Sequence, residues 1–315
     1  MDTLTPNPLP LVVNSPQELA DRFKETPSNN PFISLVISSP KVLVRTFQFK
    51  ELPLAELKPR LQSQAVELLS LPFSQIEFDY QILDSNSDKV SGVYISMAHR
   101  EIREYLGVLD RVKRIPVKMT ALILATTEAF CQTHDLPTGR VCLLDLSHPN
   151  KIDLAIFLNK QCESLREIPY DTLDEARVEI IQTLRSAVAA SSVKEFETIY
   201  CAGDWGGKEE IIRQIEKMFH TKIEQGIRID VTAALAGAKG LFDVNLLKGY
   251  SFSLKEREQT LSAATVVLTG LLVVFVGLLA CCVFNCVQIQ QIKSSYKAAD
   301  LDRAKMLEKQ LKAIK

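Results

Sequence analysis

The sequence predicts an α/β protein arranged in two lobes, followed by one membrane-spanning helix and a short helical tail. Three observations predict it. Between residues 31 and 219, stretches with the two-residue alternation of strands interleave with stretches of helical periodicity. Residues 141–168 read as three short strands joined by polar turns, an antiparallel meander that leads into a long helix. Residues 263–287 (AATVVLTGLLVVFVGLLACCVFNCV) contain no charged side chain.

Residues 1–30 are rich in Pro, Asn and Ser and read as a flexible entry, with one amphipathic stretch in which Ser15 caps a helix begun by Pro16. Residues 31–38 (PFISLVIS) and 42–49 (VLVRTFQF) form a strand, turn, strand unit around Ser39-Pro40-Lys41. A helix over 54–71 follows from Leu54, Leu57, Leu61, Ala65, Leu68 and Leu69 at helical spacing. Residues 76–83 alternate and form a strand with one wet face, and the more apolar 90–98 forms a central strand. Amphipathic helices follow at 101–112 and 122–133. In the second half, strands at 141–145, 152–158 and 162–168 make the meander. A helix at 173–190, a strand at 198–202, a loop at 203–207 and a helix at 208–219 complete it.

At about 1.5 Å rise per residue, the uncharged run at 263–287 is long enough for a hydrocarbon core of roughly 30 Å. The N-terminus has no basic segment followed by an apolar run, so residues ahead of the span are expected to stay in the cytoplasm, with the tail periplasmic. Cys131, Cys142, Cys162 and Cys201 are scattered without CxxC spacing, which predicts neither a disulfide framework nor a zinc site. A net charge of −1 argues against a nucleic-acid partner. Residues 288–315 place Ile289, Ile292, Tyr296, Ala299, Met306, Leu307, Leu311 and Ile314 among charges. That pattern suits an amphipathic helix or short coiled coil with a partner chain, a homodimer being the simplest case.

Several quoted segments carry a resemblance. Val44-Arg45 on a strand, Leu52-Pro53 before a helix, Leu71-Pro72-Phe73, Ile76-Glu77-Phe78-Asp79-Tyr80 and the strand at 90–98 resemble the inserted subdomain of the actin-like PilM and type II secretion protein L (GspL) family. The pattern covers residues 33–250. Val244-Asn245-Leu246-Leu247-Lys248-Gly249 is similar to the segment of the family's partner PilN that docks on PilM ahead of a single membrane helix. Here domain, docking-like segment and helix share one chain. Leu246 and Leu247 would fill a groove and Asn245 would pair with backbone at its edge, with Gly249 counted in the same docking segment.

The resemblance implies a degenerate actin-like (ribonuclease H-like) α/β domain over 31–242. Within it, 31–112 is an inserted α+β subdomain with its flanks and 122–242 a second lobe. A docking segment and linker at 243–262, the span at 263–287 and the tail at 288–315 complete the chain. It also implies membership of a bacterial inner-membrane platform in type II secretion or type IV pilus assembly, with a secretion or pilus ATPase and other platform proteins as partners.

An actin-like nucleotide site needs two glycine-bearing phosphate loops, because backbone N–H groups must approach the phosphates. No such hairpin precedes residues 31–38. At the second position Asp145-Leu146-Ser147-His148 keeps Asp145 but puts Ser147 where glycine belongs. At the adenosine position Gly203 is followed by Asp204, whose charge would repel a nucleotide. The expectation is therefore a non-enzymatic scaffold without a cofactor, and ATP binding is the competing reading. A membrane-anchored adaptor unrelated to secretion is the third.

His99, His134, His148 and His220 show no HxxxH pairing, so no metal site is expected. Asp145 and Asp153 fall on neighbouring strands, which would suit a metal or an acid/base pair; solvation at a strand edge is the expectation. Gly203 to Gly207 has the look of a phosphate nest but lacks the Lys-Ser/Thr of a P-loop, and Trp205 within it is a candidate interface anchor.

Overall fold

The computed structural model describes residues 8–25, 30–50, 52–85, 88–148, 150–190, 193–203, 209–232 and 241–313, with backbone only over 251–273. The chain divides into two units, 1–251 and 252–315.

The first lobe is a parallel sheet in the order β1-β2-β6, built from β1 (Leu9–Val13), β2 (Phe32–Ile37) and β6 (Ile115–Ala121). Helices α1 (Pro16–Glu25), α3 (His99–Arg111) and α4 (Leu122–Thr133) accompany it. Central β2 reads FISLVI and is buried along almost its whole length, as a parallel strand covered on both faces must be. The expected flexible entry is corrected here. Val13 and Leu19 are fully buried, and β1 pairs in register with β2 from Leu9↔Ile33 to Val13↔Ile37. The prolines that hide this strand are tolerated because β1 lies at a sheet edge, where the unused face of the backbone needs no donor. Ser15 caps α1 as expected: its Oγ accepts from Glu18 N–H at 3.2 Å, and Glu18 Oε2 accepts from Asn14 N–H at 2.9 Å.

An inserted subdomain lies between β2 and α3. Its antiparallel sheet, ordered β3-β5-β4, is made of β3 (Leu43–Lys50), β4 (Ile76–Ser85) and β5 (Lys89–Ala98), with α2 (Leu54–Leu69) packed on it. Leu57, Leu61 and Ala65 of α2 meet Phe47, Val90 and Tyr94 in a small core of their own. The strand, turn, strand unit at 31–49 is thus not a hairpin. Central β5 takes β3 into another sheet, and β2 pairs with β1 and β6 instead.

The second lobe is a mixed sheet in the order β11-β10-β7-β8-β9. The meander is β7 (Arg140–Asp145), β8 (Lys151–Leu158) and β9 (Gln161–Pro169); α5 (Leu173–Ala190), β10 (Thr198–Ala202), α6 (Glu209–Phe219) and β11 (Lys222–Ile227) follow. Antiparallel pairing within the meander and parallel pairing of β10 and β11 give the ribonuclease H-like half that the sequence leads one to expect. Alternation decides which side chains go where. Val141, Leu143, Ala155 and Phe157 face the main core shared with the first lobe, whereas Cys142, Leu144, Leu154 and Ile156 face α5 and α6.

Helix α7 (Lys248–Ala313) continues without a break through the expected span and tail. Among the described residues, Val274–Leu307 is long and apolar enough to cross a membrane. It overlaps the latter part of the expected span at 263–287.

Candidate functional site

The docking-like segment is not a linker. Val244, Leu246 and Leu247 are buried to 1% exposure or less and belong to the main core, together with Phe242. They lie along β6, which is the edge of its sheet and would otherwise present unpaired backbone groups.

Asn245 supplies the pairing. Its Oδ1 accepts from Met119 N–H at 2.9 Å and from Leu247 N–H at 3.0 Å, while its Nδ2 donates to Val117 O at 3.2 Å. Leu246 N–H donates to Met119 O at 2.9 Å. One carboxamide, which has both donor and acceptor, thus stands in for the strand that the edge lacks. Leu246 and Leu247 thus lie in the core of their own domain, while Asn245 satisfies backbone of its own chain. Gly249 lies in the first turn of α7, and the loop-to-helix step is fixed by Lys248 N–H donating to Asn245 O and Tyr250 N–H to Leu247 O.

The inserted subdomain holds the segment from the other side through residues whose role the sequence does not reveal. Asp79 Oδ2 accepts from Asn245 N–H at 2.8 Å, and its carboxylate pairs with Lys248 at 3.0 Å. Gln81 clasps the segment with both ends of its amide: Nε2 donates to Leu241 O at 3.1 Å and Oε1 accepts from Asp243 N–H at 2.6 Å. Gly92 permits this, because a Cβ there would sit 2.1 Å from Gln81 O. His99 Nδ1 lies 3.0 Å from Tyr250 Oη, and burial together with the nearby Arg103 charge lowers the imidazole pKa. Lys118 Nζ adds a bond to Phe242 O at 3.2 Å. Asp79 stands within the family-like stretch 76–80, but it shares the polar face of β4 with Glu77 and Gln81, so nothing local marks it as a contact for the segment.

Where the sequence places a second phosphate loop, Asp145 and Asp153 are direct cross-strand partners. Both are buried, at 4% and 2% exposure, so the expected strand-edge solvation is corrected. The reason is that β7 and β8 are inner strands of the sheet rather than its edge. Asp145 Oδ1 accepts from Ser147 N–H at 3.0 Å and from Ser147 Oγ, so this aspartate is turned back on its own loop. Burial pushes the Asp153 carboxyl up to about 7; the Lys151 ammonium opposes this, and Glu167 and Asp145 reinforce it.

A carboxyl whose folded pKa is raised binds its proton more tightly in the native state, so stability falls as pH climbs from about 4 to about 7. Asp153→Asn removes that penalty. In EDTA at pH 8 its melting temperature is expected to exceed that of the parent by at least about 2–4 °C, the shift that one kcal/mol brings in a domain of this size. Near pH 4 the two should coincide.

Gly203, which the sequence places at an adenosine loop, has φ +88°, and a Cβ there would lie 2.4 Å from Ser147 N. Close approach between the two loops accounts for this glycine without a nucleotide. Asp204, Trp205 and the remainder of the 203–207 loop lie outside the described residues. In the first lobe β1 passes through Asn14-Ser15 directly into α1, so no phosphate hairpin stands between them.

No protein-family model matches the chain, and no curated protein matches it in sequence. Solved structures do share its fold. A PilM-PilN type IV pilus biogenesis complex aligns at TM-score 0.50 and 14% identity, over 70% of this chain and 75% of that one. A Bacteroides thetaiotaomicron protein with an actin-like ATPase fold aligns at TM-score 0.50 and 13% identity, over 71% and 81%. The cytoplasmic domain of EpsL, an inner membrane component of the type II secretion system of Vibrio cholerae, aligns at TM-score 0.43 and 9% identity, over 74% and 84%. The first two likenesses show an actin-like fold, with the inserted subdomain that the sequence leads one to expect.

Proposed function

We propose that this chain is a non-enzymatic scaffold in the membrane platform of a type IV pilus or type II secretion machine, with its docking segment bound in cis. One observation carries the reading: the segment 241–248 is held by β6 and by Asp79 and Gln81 of the same chain, immediately ahead of a long helix with an apolar stretch. The fold likeness to a PilM-PilN complex supports it, since a receptor-like domain and a docking-like segment occur together here. The domain engages the cytoplasmic ATPase, and the docked connector passes its movements to α7 in the inner membrane. The tail meets other platform proteins or a second copy through Ile289, Ile292, Leu301, Met306 and Leu307, all of them exposed.

Co-purification of the full chain from native membranes tests this: the secretion or pilus ATPase should be retained, and its absence contradicts the assignment. The non-enzymatic part has its own test. Isothermal titration of the full chain in detergent with Mg-ATP is expected to show no saturable binding, because Ser147 replaces the glycine of one phosphate loop and α1 follows β1 without the other. Micromolar binding would contradict it.

A further inference from the structure

On the hairpin between β7 and β8, ligand atoms of Asp145, His148 and Asp153 all lie within 4.8 Å of one another. Two carboxylates and one imidazole form a hard-to-borderline donor set of the kind that takes divalent first-row ions. Donors about 2.1 Å from such an ion stand roughly 3.4 Å apart, so only small rotamer changes separate this arrangement from a coordinating one.

A second observation points to a missing cation. Neither carboxylate oxygen of Asp153 accepts a hydrogen bond, although the residue is 2% exposed. Lys151 Nζ is ion-paired with Asp153 Oδ1 at 3.2 Å, but the same ammonium is also ion-paired with Glu167, and Asp153 Oδ2 has no cation of its own among the ion pairs of the described residues. Asp153 and the half-buried Glu167 thus share one ammonium while buried Asp145 stands directly across from Asp153, and carboxylates crowded in this way call for a further positive charge. The orienting bonds are already in place, since Ser147 fixes Asp145 through its N–H and Oγ.

We infer that Asp145, His148 and Asp153 form a binding site for a divalent transition-metal ion such as Zn²⁺ or Mn²⁺, held by one hairpin with no nucleotide required. The ion ties β7 to β8 where a phosphate loop has lost its glycine, so its role is structural. The inference is independent of the scaffold reading.

The test is a titration of the full, tag-free chain in detergent with Co²⁺, read by visible absorption after treatment with EDTA and its removal. One Co²⁺ per chain is expected, with ligand-field bands but no thiolate charge-transfer band, which separates this site from the seven cysteines. His148→Ala and Asp153→Asn should each weaken binding by at least roughly tenfold, the smallest loss that even an outer-shell partner brings. In EDTA, His148→Ala should melt with the parent, showing that lost binding is not lost folding. Absence of saturable binding, binding that survives either substitution, or a dominant thiolate band overturns the inference.

Discussion

Replacing Leu246 and Leu247 together by alanine is expected to release the connector from the domain and to cost on the order of 4–10 kcal/mol, from about 2–5 kcal/mol for each buried leucine. Both side chains are at most 1% exposed and belong to the core that joins β2, β6 and the inner face of the second-lobe sheet. The two residues are neighbours, so their effects need not add. Even the lower figure is a large fraction of the roughly 5–15 kcal/mol that holds a domain folded. Thermal unfolding of the full chain in detergent measures it. Leu68→Ala, at a position 52% exposed on α2, should leave the transition where it is. If the double variant melts with the parent, the segment is not part of the core.

Asn245→Ala comes next, at roughly 2–5 kcal/mol, because it strips Met119 N–H and Leu247 N–H of their acceptor and Val117 O of its donor. Asn245→Asp separates the parts of this effect. Its carboxylate still accepts from the two N–H groups but cannot donate to Val117 O, and it adds charge beside Asp79. An intermediate melting temperature is expected for it. Because Asn245 touches edge-strand backbone rather than the deep core, its loss should also speed hydrogen exchange at Met119 while leaving Leu35 of central β2 slow.

Much of this fold is legible in the sequence, and the misses share a cause. The meander, β10 and most of the helices follow from period alone, because each buries one face in its own neighbourhood. Strands β1, β6 and β11 do not. Pro10 and Pro116 interrupt two of them and β11 reads KIEQGI, and all three stand at sheet edges, where alternation is weak and proline costs little. In the candidate site, Asn245, Leu246 and Leu247 are legible as anchors because an amide between apolar residues is informative. Their receptor is not: Asp79, Gln81 and Met119 are brought to the segment across more than a hundred residues of chain, which no local pattern encodes. Asp145 and Asp153 show the converse, since their pairing follows from the meander but their burial depends on β9 and β10 flanking them.

The connector is held by its own domain, and hydrogen exchange of the full chain in detergent or nanodiscs tests that directly. Leu246 and Met119 amides, which donate to Met119 O and Asn245 Oδ1, should be strongly protected, and to the same extent at high and low protein concentration. Exchange of the Leu246 amide at the rate of an unstructured chain, or protection that fades on dilution, would contradict docking in cis.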